Sequence, residues 1–252
     1  MKPHHSALLV LLSVAVALSP TGESVAAGID SNALARVIVE RVLENRPAHD
    51  LALKARLSSD RDEPVPVEIL VKNLPEEVRT IYRLPGTEAL IVQPRRGAPR
   101  YYLKGVGELT GPQRLRSLGK SQFTLYDLGL PFLHWPEVAY RGEARVRARP
   151  CHLLEVKAPG EPYASVRLWI DKEANALLRA EGENEYGQPV RRFSVTSFRH
   201  VGEIWVPRGM QMAFVPPGQS LPAEEQSRLE VFEGNYEATL PAGDFEPEKF
   251  GR

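Results

Sequence analysis

Residues 163–171 (YASVRLWID) alternate so strictly that they fit a strand with two unlike faces and little else. Val166, Leu168 and Ile170 fall on one side; Arg167, Trp169 and Asp171 fall on the other. A five-residue turn segment (KEANA) leads into residues 177–186 (LLRAEGENEY). Gly187-Gln188-Pro189 then leads into residues 190–201 (VRRFSVTSFRHV). Three strand-like segments with only turns between them specify an antiparallel meander. Such a sheet has one apolar face, and function turns on what covers it.

The rest of the chain repeats this rhythm. Strand patterns occupy residues 50–58, 66–72, 77–84, 88–93, 99–104, 139–148, 151–158, 203–215 and 227–236. Turn chemistry separates them, as at Pro85-Gly86 and around Gly97. Residues 31–45 (SNALARVIVERVLEN) read as an amphipathic helix. Leu34, Val37, Ile38 and Val42 form its stripe, Asp30 or Ser31 its cap, and Pro47 its end. Residues 105–136 break the rhythm with glycines and prolines around two apolar runs, residues 123–130 (FTLYDLGL) and 132–135 (FLHW). A long strandless stretch inside a compact domain is uncommon and is often a lid. Residues 123–128 suit a short helix within it. Pro216–Pro222 is a proline-rich loop, and Phe245 and Phe250 mark a tail able to tuck back.

The N-terminus reads as a secretory signal over residues 1–27. Lys2 precedes an unbroken apolar run, residues 7–18 (ALLVLLSVAVAL), and Pro20 and Gly22 break it. Val25-Ala26-Ala27 places small residues where a signal peptidase reads, so cleavage is expected before Gly28. The run is shorter than the about 20 apolar residues a membrane span needs. Residues 28–252 are then expected to form one exported domain, read as a monomer.

Chemistry is sparse. Lys+Arg and Asp+Glu are both 32, so no concentrated positive charge argues for nucleic acid. The basic run 141–149 (RGEARVRAR) reads as the wet side of a strand. Cys151 is the lone cysteine, which excludes an intramolecular disulfide and the common zinc patterns; it reads as a small core hydrophobe. His49, His134, His152 and His200 have no metal-ligand spacing, and no GxSxG elbow is present. No metal, cofactor or catalytic residue is expected. Asp127, a carboxylate in an apolar insert, could serve as a general base, but a helix cap or a bond to the loop is the simpler use. Asp171 reads as a turn aspartate, and Glu181, Glu183 and Glu185 as a solvated strand face. Met210 and Met212 lie on one line with Ile204, Val206 and Phe214; core filling and an adaptable apolar ligand surface both fit.

Several segments together resemble the outer-membrane lipoprotein-sorting protein family, the LolA-like carriers, in its uncharacterised branch. They are Phe123-Thr124-Leu125-Tyr126-Asp127-Leu128, Tyr140-Arg141-Gly142 with Cys151-His152-Leu153-Leu154-Glu155-Val156, residues 163–171 leading to Leu177-Leu178-Arg179-Ala180-Glu181, and residues 202–212 (GEIWVPRGMQM). These are ordered strand signatures rather than catalytic motifs. The resemblance implies a mainly β (α+β) fold: an incomplete antiparallel barrel of about 11 strands, with an N-terminal helix and a helical lid. It also implies non-catalytic carriage of lipoprotein acyl chains or related lipids in a hydrophobic cavity, across the periplasm. An inner-membrane transporter or an outer-membrane acceptor would be the partner. The expected lining is Leu53, Ile69, Tyr82, Leu125, Leu128, Phe132, Leu154, Val166, Leu168, Ile170, Phe193, Ile204, Met210, Met212 and Phe214. Two other readings stand beside it. One is a cell-envelope interaction module with a filled interior that binds a transporter or assembly factor. The other is an exported hydrolase, for which no residues cluster.

Overall fold

A computed structural model describes residues 6–7, 31–60, 62–215 and 226–251. The expected signal and its cleavage site fall almost wholly outside these, and the Pro216–Pro222 loop falls outside entirely. After a two-residue strand β1 (Ser6–Ala7), which pairs in parallel with Ile204–Trp205, the chain forms helix α1 (Ser31–Glu44). Six strands follow: β2 (Leu51–Ser59), β3 (Val65–Asn73), β4 (Glu77–Leu84), β5 (Thr87–Pro94), β6 (Arg100–Leu103) and β7 (Gly107–Leu109). An insert holds helix α2 (Leu125–Gly129) and the 3-10 turn Pro131–His134. Seven more strands complete the sheet: β8 (Glu137–Val146), β9 (Arg149–Lys157), β10 (Ser165–Asp171), β11 (Leu177–Glu183), β12 (Pro189–Val201), β13 (Ile204–Phe214) and β14 (Gln226–Tyr236).

The strand order is β7-β6-β5-β4-β3-β2-β14-β13-β12-β11-β10-β9-β8. Two meanders are therefore joined through their first and last members, β2 and β14, and β7 and β8 are left as edges. The fold is an incomplete antiparallel barrel, as the strand patterns and the resemblance imply. It has thirteen strands in this path rather than about eleven. The one strand of this path without a matching segment in the sequence reading, β7, is a three-residue strand inside the stretch read as irregular, where local alternation is too brief to register.

The topology places the insert. Strands β7 and β8 follow each other in sequence but lie at opposite edges of the sheet. The chain between them must cross from one edge to the other, and it does so inside the concave face. The inward registers are apolar: Val166 faces Gly182 and Val156, Leu168 faces Ala180 and Leu154, and Phe193 faces Met212. Arg167 is exposed and Trp169 half-buried on the convex side, where Trp169 lies beneath the Arg179 guanidinium.

Helix α1 packs beside β8 and buries Ala35, Ile38, Val39 and Val42. The expected stripe is rotated: Val37 is exposed, and Ala35 and Val39 take the inward positions. The convex face of β3–β6 carries a second apolar cluster of Leu70, Ile81, Leu90, Val92 and Tyr102, covered by Phe245 and Phe250 of the C-terminal tail.

Candidate functional site

The insert fills the concave face. Leu118, Phe123, Leu125, Tyr126, Leu128, Phe132, Leu133 and Trp135 are all buried in one continuous core with the inward side chains of both meanders. Thr124 starts α2: its hydroxyl accepts the Asp127 backbone N–H at 3.0 Å. Leu130, left-handed at φ 48°, ends it and redirects the chain into Pro131–His134. Gly129 meets the sheet closely, since a Cβ there would lie 2.6 Å from the Tyr101 ring.

The polar groups of the insert reach out to the wall. The Gln93 amide donates to the Gly129 carbonyl at 3.2 Å, and the Gln122 N–H donates to Ser227 Oγ at 2.8 Å. Tyr126 donates to Glu161 at 2.7 Å. Asp127 sits at the centre of a buried cluster. Its carboxylate accepts from Tyr163 Oη at 2.7 Å and from Thr124 Oγ1 at 2.6 Å, and Arg191 Nε stands 3.1 Å away. Arg191 Nη2 also donates to the Gln122 carbonyl. Burial first, and the neighbouring carboxylates after it, raise the Tyr126 and Tyr163 hydroxyls far above the ordinary phenol value, so both remain donors. Asp127 thus takes the simpler of its two expected uses: it bonds within its own turn and clamps the insert to β12.

Beside this cluster lies a cavity of about 10 Å³, lined by Phe132, Val166, Phe193 and Met212 together with Asp127, Tyr163 and Arg191. That is room for about one water. Larger concavities, about 310 Å³ between α1 and β8–β9, about 520 Å³ along residues 157–164 and about 630 Å³ at the Arg83–Lys104–Arg116 rim, are surface grooves.

Of the residues expected to line a cavity, Leu53, Ile69, Tyr82, Leu125, Leu128, Phe132, Leu154, Val166, Leu168, Ile170, Phe193, Ile204, Met210 and Met212 all lie in the shared core. Only Phe132, Val166, Phe193 and Met212 reach the small cavity. Phe214 shares the inward register but ends β13 and is 38% exposed at the rim. Sequence reading missed Tyr163 and Arg191 as partners of Asp127. The signal available was an arginine at an inward position, set by the pairing of Arg191 with Gly182.

The convex face corrects one expectation. Glu181 and Glu183 are buried rather than solvated, and Glu185 alone is exposed. Arginine side chains cover the first two: Glu181 pairs with Arg192 and Arg179, and Glu183 with Arg167 at 2.8 Å and the Ser165 hydroxyl at 2.7 Å. Asp171 is the turn aspartate expected; it accepts the Glu173 and Ala174 N–H groups at 3.0 and 2.7 Å and pairs with Arg149. Cys151 is buried, and burial pushes its thiol up. Among the described residues no group of three or more His, Cys, Asp or Glu is placed to hold a metal ion.

Comparison with solved structures gives the fold a setting. A protein described as an outer membrane lipoprotein-sorting domain from Vibrio parahaemolyticus superposes with a TM-score of 0.73 at 13% identity, covering 87% of this chain and 99% of that one. A DUF1329 family protein from Desulfovibrio piger gives 0.70 at 16% identity, over 88% and 100% of the two chains. A LolA superfamily protein from Nitrosomonas europaea gives 0.56 at 17%, over 84% and 97%. No curated protein matches the sequence. A family model described as "uncharacterized protein" matches residues 102–252, more than half of the chain. The chain belongs to this uncharacterised family, and its fold is the LolA-like incomplete barrel.

Proposed function

We propose that this protein is an exported, periplasmic carrier or binding protein for acyl chains of lipoproteins or related lipids, described here with its lid closed. The observation that carries this reading is the insert. Its apolar side chains occupy the concave face of an incomplete barrel and are tied to the wall by a few polar contacts rather than by sheet pairing. An alkyl chain that replaced them would keep the wall dry, and its about 0.8 kcal/mol per buried CH₂ would offset the apolar burial that the insert gives up. The N-terminal apolar run and the likeness of the fold to lipoprotein-sorting proteins support export and cargo class. No covalent step is invoked.

Mass spectrometry of organic extracts from natively purified protein tests the proposal, and co-purified acyl lipid in stoichiometric amount is the expected result. One observation favours a second reading. An interior cavity of about 10 Å³ is far below the about 300 Å³ of a small-molecule site. A cell-envelope interaction module with a filled interior would look the same. It predicts an extract without lipid, no acyl probe bound even when the lid contacts are broken, and a stoichiometric envelope protein in pull-downs.

A further inference from the structure

The lid contact has an electrostatic consequence for the ligand. From β10 to β14 the inward registers hold Val166, Leu168 and Ile170, then Ala180 and Gly182, then Arg191, Phe193 and Val195, then Met210 and Met212, then Ser227, Leu229 and Val231. Arg191 is the one charged side chain that the sheet wall places at the small cavity; Arg199, opposite Val206 further along β12, is not part of that lining. In the closed state its charge is met by Asp127 at 3.1 Å, and Asp127 belongs to the lid. Arg191 Nε is buried and makes no directed hydrogen bond, although Asp127 Oδ2 is close.

Any ligand that enters the concave face must lift the insert, and Asp127 leaves with it. Asp127 can then be solvated. Arg191 cannot follow, because it is fixed to β12. A neutral chain laid over it would bury an uncompensated guanidinium, which is the costly way to break a buried pair. An anionic oxygen placed where the Asp127 carboxylate sat would instead meet both Arg191 and the Tyr163 hydroxyl, which donates to Asp127 at 2.7 Å in the closed state. The small cavity already joins these two polar groups to apolar walls at Phe132, Val166, Phe193 and Met212.

We propose that the ligand of the half-barrel is an amphiphile with an anionic head, and that this head replaces the Asp127 carboxylate at Arg191 and Tyr163 while the alkyl tail replaces the lid side chains. The proposal rests on the carrier reading and narrows it to a ligand class. Carboxylate and phosphate monoester heads share the required chemistry.

The test is calorimetric or fluorescence-displacement titration of the full chain with laurate, dodecyl phosphate and 1-dodecanol, which share one alkyl tail. Wild type is expected to bind one or both anions at least about tenfold more tightly than the alcohol, the scale of one charge-assisted hydrogen bond. Whichever anion shows the preference identifies the head. Asp127→Asn, which weakens the competing lid contact, is expected to tighten anion binding. Arg191→Gln is expected to bind the alcohol and to lose the preference. Arg191→Lys keeps the charge and is expected to retain part of it, so the comparison survives a misfolded glutamine variant. Equal affinity for anion and alcohol in wild type, or a preference undiminished in Arg191→Gln, overturns the proposal while leaving the carrier reading intact. Failure of every probe to bind wild type and Asp127→Asn overturns both.

Discussion

Replacing Asp127 by asparagine keeps the shape of the side chain and its capacity to accept from Tyr163, and removes its charge. Arg191 is then left with the Gln122 carbonyl alone. The two side chains are only 18% and 6% exposed, so the pair is largely desolvated. Stranding one partner of a fully buried pair costs 3–5 kcal/mol; the residual exposure of Arg191 and its carbonyl contact reduce this to about 2–3 kcal/mol here. Arg191→Met alone should also destabilise, because Asp127 loses its cation but keeps its hydroxyl donors. The double variant removes both charges from an apolar wall. It should be more stable than the sum of the single changes by about 2 kcal/mol. Urea unfolding of the four proteins, followed by near-ultraviolet circular dichroism, measures that coupling. Amide hydrogen exchange locates it: residues 123–130 should lose protection in Asp127→Asn, while β2–β5 retain theirs. A coupling below about 0.5 kcal/mol, within the additivity of independent sites, would refute the view that this pair holds the insert down.

Three further outcomes are expected. Gly129→Ala places a methyl 2.6 Å from the Tyr101 ring and should cost about 1–3 kcal/mol of stability; an unchanged melting temperature would mean the insert is not seated on β6. Phe250→Ala uncovers the convex cluster of Leu70, Ile81, Leu90 and Val92 and should cost about 3 kcal/mol, read from the urea midpoint at constant m-value. His134 is pushed down to about 4, by burial first and by the charge of Arg46 second. Its folded value lies below its unfolded one, so protonation favours the unfolded chain. The contribution of neutral His134 is whole above about pH 6.5 and is lost as the pH falls toward about 4, by about 3 kcal/mol at most. His134→Gln should flatten that part of the stability–pH curve, and a curve parallel to wild type would remove His134 as its source.

The half-barrel was legible residue by residue because alternation is a local signal. A period of two names the strand and its two faces before any partner is known, as at Val166, Leu168 and Ile170. It fails where the strand is as short as Gly107–Leu109, or where the second face is covered by something distant. Glu181 and Glu183 look solvated in one dimension because their covering arginines, Arg167, Arg179 and Arg192, are assigned to them only by the register of three strands. Val37 misleads for a related reason. The apolar stripe of a short helix is broad, and the angle at which α1 meets β8 decides which edge of it is buried.

The sequence by itself determined the longer strands, the apolar face of most of them, the presence of the helix before them and the apolar insert between them, since each is written in neighbouring residues. Where the insert goes belonged to the tertiary structure. Pairing of β2 with β14 sends β7 and β8 to opposite edges, so the chain between them has to cross the concave face. That crossing brings Asp127 to Tyr163 and Arg191, which are 36 and 64 positions away in sequence. No local pattern encodes such a meeting, because it depends on the curvature of thirteen strands acting together.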